Sequence, residues 1–137
     1  MKSVSDVAYL ESSALVKLAV VEEEEEESRA LQDALARWPH RVSSRLAVVE
    51  VLRAVRRRDA ARESLARGVL ARVGLIAVGD RVLFSASQLD PVTIRSLDAI
   101  HVATALPLRS RLGAFVSYDR RQLEAAESLG LPTASPR

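Results

Sequence analysis

Four acids stand out because together they could do chemistry that none could do alone. Glu11 is set into the apolar run "VAYLESSALVKLAV" (residues 7–20), and an acid among apolar residues is costly unless something pairs with it or binds it. Glu50 lies in "RLAVVEVLRAVRRR", where Leu46, Glu50, Arg53 and Arg57 share one narrow helical face among apolar neighbours. Asp98 opens the apolar stretch "LDAIHVATAL", and Asp119 follows the apolar run "AFVSY". Separate readings exist: Asp119 as a helix N-cap, Glu50 as a surface partner of Arg53 or Arg57, and Asp98 as an acid favoured by a helix dipole. Brought together, four carboxylates would repel and raise one another's pKa, and a divalent cation removes that cost. Mg²⁺ and Mn²⁺ prefer oxygen ligands, and nucleases use such ions to activate water against a phosphodiester.

The elements that must position these acids alternate along the chain. Residues 7–10 read as a buried strand, and "SSALVKLAV" as a helix with Ser12 or Ser13 as N-cap. "EEEEEESRALQDALARW" (22–38) reads as a second helix with acids in its first turns, ended by Pro39. A strand at "RVSS" (41–44) precedes helices over 45–58 and 62–73. "GLIAVG" (74–79) is a strand, and 81–89 and 93–106 are helical, with Leu97, Ile100 and Ala103 along one side and Pro107 at the end. "AFVSY" (114–118) is a strand, Asp119 caps the helix of 120–130, Gly130 suits its C′ position, and "LPTAS" (131–135) is a last strand. Alternating strands and helices predict a parallel sheet covered on both faces, with ligands beyond the strands' carboxyl ends. Glu11 and Asp119, each directly after a strand, belong on that edge.

The segments "YLESSALVKL", "SSRLAVVEVLRAVRR", "RSLDAIHVATAL" and "FVSYDRRQLEAAESLGLP" together resemble the PIN-domain family, and within it the VapC-type toxins of toxin–antitoxin pairs. They occur in the family's order and span essentially the whole chain. The resemblance implies a single PIN-like domain over residues 1–137, an α/β/α three-layer sandwich around a mainly parallel sheet. It implies a metal-dependent ribonuclease whose acidic quartet is Glu11, Glu50, Asp98 and Asp119, holding Mg²⁺ or Mn²⁺ directly or through water. The activated water, not the RNA 2′-hydroxyl, would attack. Ser117 matches a position where the family carries a small hydroxyl residue, and Ser13 is a second candidate support for Glu11. The resemblance further implies RNA as substrate (tRNA, rRNA or mRNA), a VapB-type antitoxin that covers the site, and a homodimer. Leu15, Leu18 and Val20 fall where the family builds its antitoxin groove, with core packing as the rival reading. The family's first acid is usually Asp. Glu11 keeps the charge but extends the arm by at most roughly 1.5 Å, one carbon–carbon bond. A PIN-like module that binds RNA or a partner without cutting is therefore the alternative.

Composition sets outer bounds. The 137 residues contain no Cys, which excludes disulfides and thiolate metal sites and suits a reducing cytoplasm. No stretch approaches the roughly 20 apolar residues of a membrane helix, and there is no signal-peptide pattern. The net charge is only +2, with arginines clustered in "RAVRRRDAARESLAR". Arg53, Arg57, Arg95, Arg120 and Arg121 flank the acids and are candidates for gripping RNA phosphates, with solvated surface arginines as the plain alternative. His101 reads as a proton shuttle or ligand, or as a helix residue facing the core edge or an interface. Glu22–Glu27 reads as a solvated helix start, and Trp38 as a packing anchor. A receiver-like phospho-acceptor domain also gathers acids at a sheet edge but needs a Lys late in the chain. Here the lysines are Lys2 and Lys17.

Overall fold

The structure is a computed structural model that describes residues 5–20 and 26–137. Five strands, β1 (Val7–Leu10), β2 (His40–Ser44), β3 (Gly74–Ile76), β4 (Leu112–Val116) and β5 (Thr133–Ala134), form one sheet in the order β3-β2-β1-β4-β5. Every pairing is parallel. The chain moves outward from β1 to β2 and β3, then returns to the other side of β1 with β4. The switch in direction lies between β1 and β4, and in open parallel sheets ligands bind beyond the carboxyl ends of the strands at such a point.

Among the described residues seven α-helices cover the two faces: α1 (Ser12–Ala19), α2 (Glu26–Leu35), α3 (Leu46–Asp59), α4 (Glu63–Ala71), α5 (Asp80–Ser87), α6 (Ser96–Ala105) and α7 (Arg120–Ser128). Strand alternation divides the core. Ala8, Leu10, Ala114 and Val116 pack with α1 to α4, whereas Val7, Tyr9 and Phe115 pack with α6 and α7. The result is a three-layer α/β/α sandwich.

Between Val7 and Ala8 the β1–β4 register skips from Leu112 to Ala114, so Gly113 is the extra residue of a bulge. A Cβ on Gly113 would stand 2.4 Å from the Ser5 carbonyl oxygen and 2.7 Å from the Trp38 ring. Trp38 is buried against this bare backbone and serves as the packing anchor its position suggested. Helix α7 closes as expected at Gly130, whose φ of 85° suits glycine. Gly130 N–H donates to Glu127 O, and Leu131 N–H to Ala126 O, the paired bonds of a Schellman motif.

Several boundaries differ from the sequence reading. Helix α2 ends at Leu35, before Pro39, and the last residues leading to Trp38 form a turn. Residues 22–25 of the acidic run lie outside the described residues; Glu26 and Glu27 occupy the first turn of α2, where Glu27 pairs with Lys17 and Arg137. Helix α6 begins at Ser96, because Arg95 is extended (φ −67°, ψ 148°). The strand expected over 74–79 stops at Ile76, and that expected over 114–118 runs Leu112–Val116 instead. The apolar side of α3 is less covered than its pattern suggested. Ala47, Val51 and Val55 are buried, Val48 and Leu52 half-buried, and Val49 exposed. Leu97 is likewise exposed, while Ala103 on the same line is buried.

Candidate active site

Glu11 leaves β1 and becomes the N-cap of α1, a position the sequence had suggested for Ser12 or Ser13. Glu is a poor cap by preference. The backbone here is extended (φ −71°, ψ 162°), and the extra methylene lets Oε1 fold back to accept from Ser13 N–H at 2.9 Å. The same oxygen accepts from Ser13 Oγ and, at 3.0 Å, from Ser117 Oγ. Ser13 Oγ in turn accepts from Tyr118 N–H, and Ser117 Oγ from Asp119 N–H, so both hydroxyls are tied to the turn after β4. Glu11 is buried, with 6% of its surface exposed, and burial pushes its pKa up against the pull of these hydrogen bonds.

Asp119 does cap α7, Oδ1 accepting from Arg121 N–H and Gln122 N–H. The cap occupies one oxygen. The other, Oδ2, lies 3.1 Å from Arg95 Nη2, while Arg95 Nε lies 3.2 Å from Asp98 Oδ2. A single guanidinium thus spans two of the acids. Burial and the nearby Asp119 charge raise the Asp98 pKa despite Arg95. Buried Gln122 links this pair to the strand edge, lying 3.4 Å from Asp98 O through Nε2 and 3.3 Å from Ser117 Oγ through Oε1.

Glu50 reaches in from α3. Its Oε1 accepts from Ser12 Oγ at 2.7 Å and sits 2.6 Å from His101 Nε2. Burial would raise its pKa, but the bonds from His101 and Ser12 outweigh it and hold the carboxylate below the usual range. Glu50 is therefore no surface partner of Arg53 or Arg57. His101 is fully buried, and its Nδ1 meets the Tyr9 hydroxyl at 2.7 Å. The core-edge reading of His101 describes its burial but misses its partner. Tyr9, Ser12 and Gln122 were also missed. The spacing of Asp98 and His101, i and i+3 on one helix face, was the available signal for His101.

Arg95 is the one candidate RNA-gripping arginine with a side-chain bond to these acids among the described residues. Arg53, Arg57, Arg120 and Arg121 are exposed, and Arg121 lines a cleft of about 510 Å³ with Arg95, Asp98 and Glu124. On the opposite side a second groove, about 410 Å³, is lined by Leu18, Leu65, Val69, Arg41 and Arg72. Leu15 and Val20 are buried in the core, so of the three apolar residues considered for a partner groove only Leu18 lines it.

The donor set suits a hard cation, since every candidate ligand is a carboxylate oxygen. Asp98 and Asp119 already converge on one cation, the Arg95 guanidinium. No three His, Asp or Glu side chains among the described residues close around one metal-sized point. The fit is therefore to an ion held by one or two carboxylates and otherwise hydrated, as Mg²⁺ commonly is.

A PIN domain model matches residues 8–128. Ribonuclease VapC46 of Mycobacterium tuberculosis is 44% identical over 128 residues, covering 93% of this chain and 96% of that protein. Ribonuclease VapC47 of the same species is 36% identical over 130 residues with the same coverage. Among solved structures, M. tuberculosis VapC20, described as a sarcin–ricin loop cleaving toxin, superposes with a TM-score of 0.72 at 14% identity, covering 94% of this chain and 99% of that one. A chain from a Klebsiella pneumoniae toxin–antitoxin complex gives 0.66 at 19% identity, covering 85% and 89%.

Proposed function

Since the chain belongs to the PIN domain family and to its VapC ribonuclease branch, we propose that it is a metal-dependent endoribonuclease toxin held silent by a cognate VapB-type antitoxin. The observation that carries this reading is the gathering of Asp98 and Asp119 on one guanidinium at the strand switch point, with Glu11 and Glu50 anchored beside the same strand ends. The relatives named ribonucleases match it over nearly their whole length.

Asp98 and Asp119 would hold Mg²⁺ or Mn²⁺, with Glu11 acting on the ion's hydration shell through Oε2, since its described hydrogen bonds all fall on Oε1. Such an ion supplies Lewis-acid polarisation of the phosphoryl oxygen and a more acidic water. Ser13 and Ser117 keep Glu11 from swinging away. Ser12 and His101 keep Glu50 ionised, so its second oxygen is free to take a proton from an attacking water. Arg95, once released from the acids, and Arg121 beside the cleft can neutralise the scissile phosphate. The groove beside Leu18 is apolar with two arginines on its rim, which suits an amphipathic, acid-bearing antitoxin segment. Phe84 and Val92, exposed at 71% and 86%, offer apolar surface for a second copy. The same reading puts the chain in the cytoplasm, where its RNA substrates are. No helix among the described residues is long and apolar enough to cross a membrane.

The test is incubation of the purified chain with total bacterial RNA and Mn²⁺ or Mg²⁺. Discrete cuts that EDTA abolishes are expected. Undiminished cutting in EDTA would reject metal dependence, and no cutting with either ion would favour a binding module.

A further inference from the structure

The Glu50 carboxylate is reached through a chain of three side chains from three different elements. Tyr9 on β1 is fully buried, its ring stacked on Phe115 with centroids 5.1 Å apart and planes 3° from parallel. It stands edge-on to His101 of α6, centroids 5.8 Å apart and planes at 79°. Its hydroxyl meets His101 Nδ1 at 2.7 Å, and His101 Nε2 meets Glu50 Oε1 at 2.6 Å. Ser12 Oγ closes the cluster, 2.7 Å from Glu50 Oε1 and 3.2 Å from His101 Nε2. Tyr9, Ser12 and His101 are all buried, so none can exchange these partners for bulk water without rearrangement.

We propose that His101 is a positioning residue for Glu50, with Tyr9 fixing its tautomer: Tyr9 O–H donates to Nδ1, leaving Nε2–H to donate to Glu50 Oε1. The chemistry allows few other arrangements. A carboxylate only accepts, so the nitrogen facing it at 2.6 Å must carry a proton. A neutral imidazole then has a lone pair on Nδ1, and the phenol is the donor that satisfies it. The arrangement resembles in kind the outer contacts by which metal-site histidines are oriented, except that the group being oriented is a carboxylate. It commits Glu50 Oε1 to two donors and leaves Oε2 for chemistry. The consequence for turnover rests on the nuclease reading; the tautomer does not.

The experiment has two arms. In the first, long-range ¹H–¹⁵N spectra of the resting protein at neutral pH read the two ring nitrogens of His101. A proton on Nε2 and none on Nδ1 is expected, and Tyr9→Phe, which keeps the ring stack and deletes the donor, shifts the Nδ1 resonance. A proton on Nδ1, alone or together with one on Nε2, would overturn the assignment. In the second arm, Tyr9→Phe, His101→Ala and His101→Gln are compared on an RNA substrate. Loss of such an orienting contact costs about 10- to 100-fold in activity, so His101→Ala should lose that much in kcat with KM nearly unchanged. His101→Gln, which returns a donor at the Nε2 position, should recover most of it, and Tyr9→Phe should lose less than His101→Ala. A loss confined to KM, or a folded His101→Gln no better than a folded His101→Ala, would overturn the proposal. If the wild-type chain cut no RNA, the nuclease reading would fall while the first arm still decided the tautomer.

Discussion

Removing Arg95 should tighten divalent metal binding while slightly loosening the metal-free fold. Its guanidinium holds Asp98 Oδ2 at 3.2 Å and Asp119 Oδ2 at 3.1 Å, the oxygens a cation would claim. The arginine side chain is 67% exposed, so each contact counts as a surface ion pair of about 0.2–1 kcal/mol. Both together come to about 0.5–2 kcal/mol, the cost an incoming ion bears to displace Arg95. Arg95→Ala removes that cost, which corresponds to about 2- to 30-fold tighter Mn²⁺ binding. Isothermal titration of metal-stripped protein with Mn²⁺ reads it directly. The gap between variant and wild type should narrow as salt is raised, because exposed charges are screened. Thermal unfolding in EDTA should show a loss of no more than about 2 kcal/mol, since two weak contacts vanish and two carboxylates lose their counter-ion. Equal or weaker Mn²⁺ binding by a folded Arg95→Ala would refute the view that arginine and metal compete for the same two oxygens.

Other perturbations separate the parts of the site. Glu11 is buried with a raised pKa, so its ionised form disfavours folding; that stability is present below the ordinary Glu pKa and is lost as pH rises through the folded value. Glu11→Gln should therefore melt higher than wild type in EDTA at neutral pH, with the difference closing as pH falls towards 4.5, the ordinary value; a variant that melts lower at neutral pH contradicts this. Glu50 has the opposite sign: its lowered pKa contributes stability above the ordinary value that is lost on acidification, so Glu50→Gln should flatten the acid limb of the melting profile. Gly113→Ala places a Cβ 2.4 Å from a backbone oxygen and 2.7 Å from the Trp38 ring, and should cost about 1–3 kcal/mol in denaturant unfolding; a neutral result would show that the bulge can relax.

How far the sequence could be read depended on how local the cause was. Asp119 was legible because a cap and the end of β4 are both written within a few residues, and Gly130 because a C′ position needs only its own φ. The strand–helix alternation by itself puts Glu11 and Asp119 on one edge. Glu11 as an N-cap was not legible, since propensity argues against it; the geometry comes from Ser13 and Ser117, the latter 106 residues away. The bridge by Arg95 depends on where α6 starts, and that start was placed three residues too early. His101 looked like one more residue of a buried helix. Its partners Tyr9 and Ser12 lie 92 and 89 residues distant, and no local spacing announces them. Exposure of Val49 and Leu97 shows the converse limit: periodicity marks an apolar side but not whether another element covers it.

The most direct test of the account is the end chemistry of RNA cut by the purified chain with Mg²⁺ or Mn²⁺, with Asp98→Asn as control. Hydrolysis by an activated water predicts 5′-phosphate and 3′-hydroxyl ends, and no products from the variant. Ends carrying a 2′,3′-cyclic phosphate, or cuts that persist in Asp98→Asn, would contradict it.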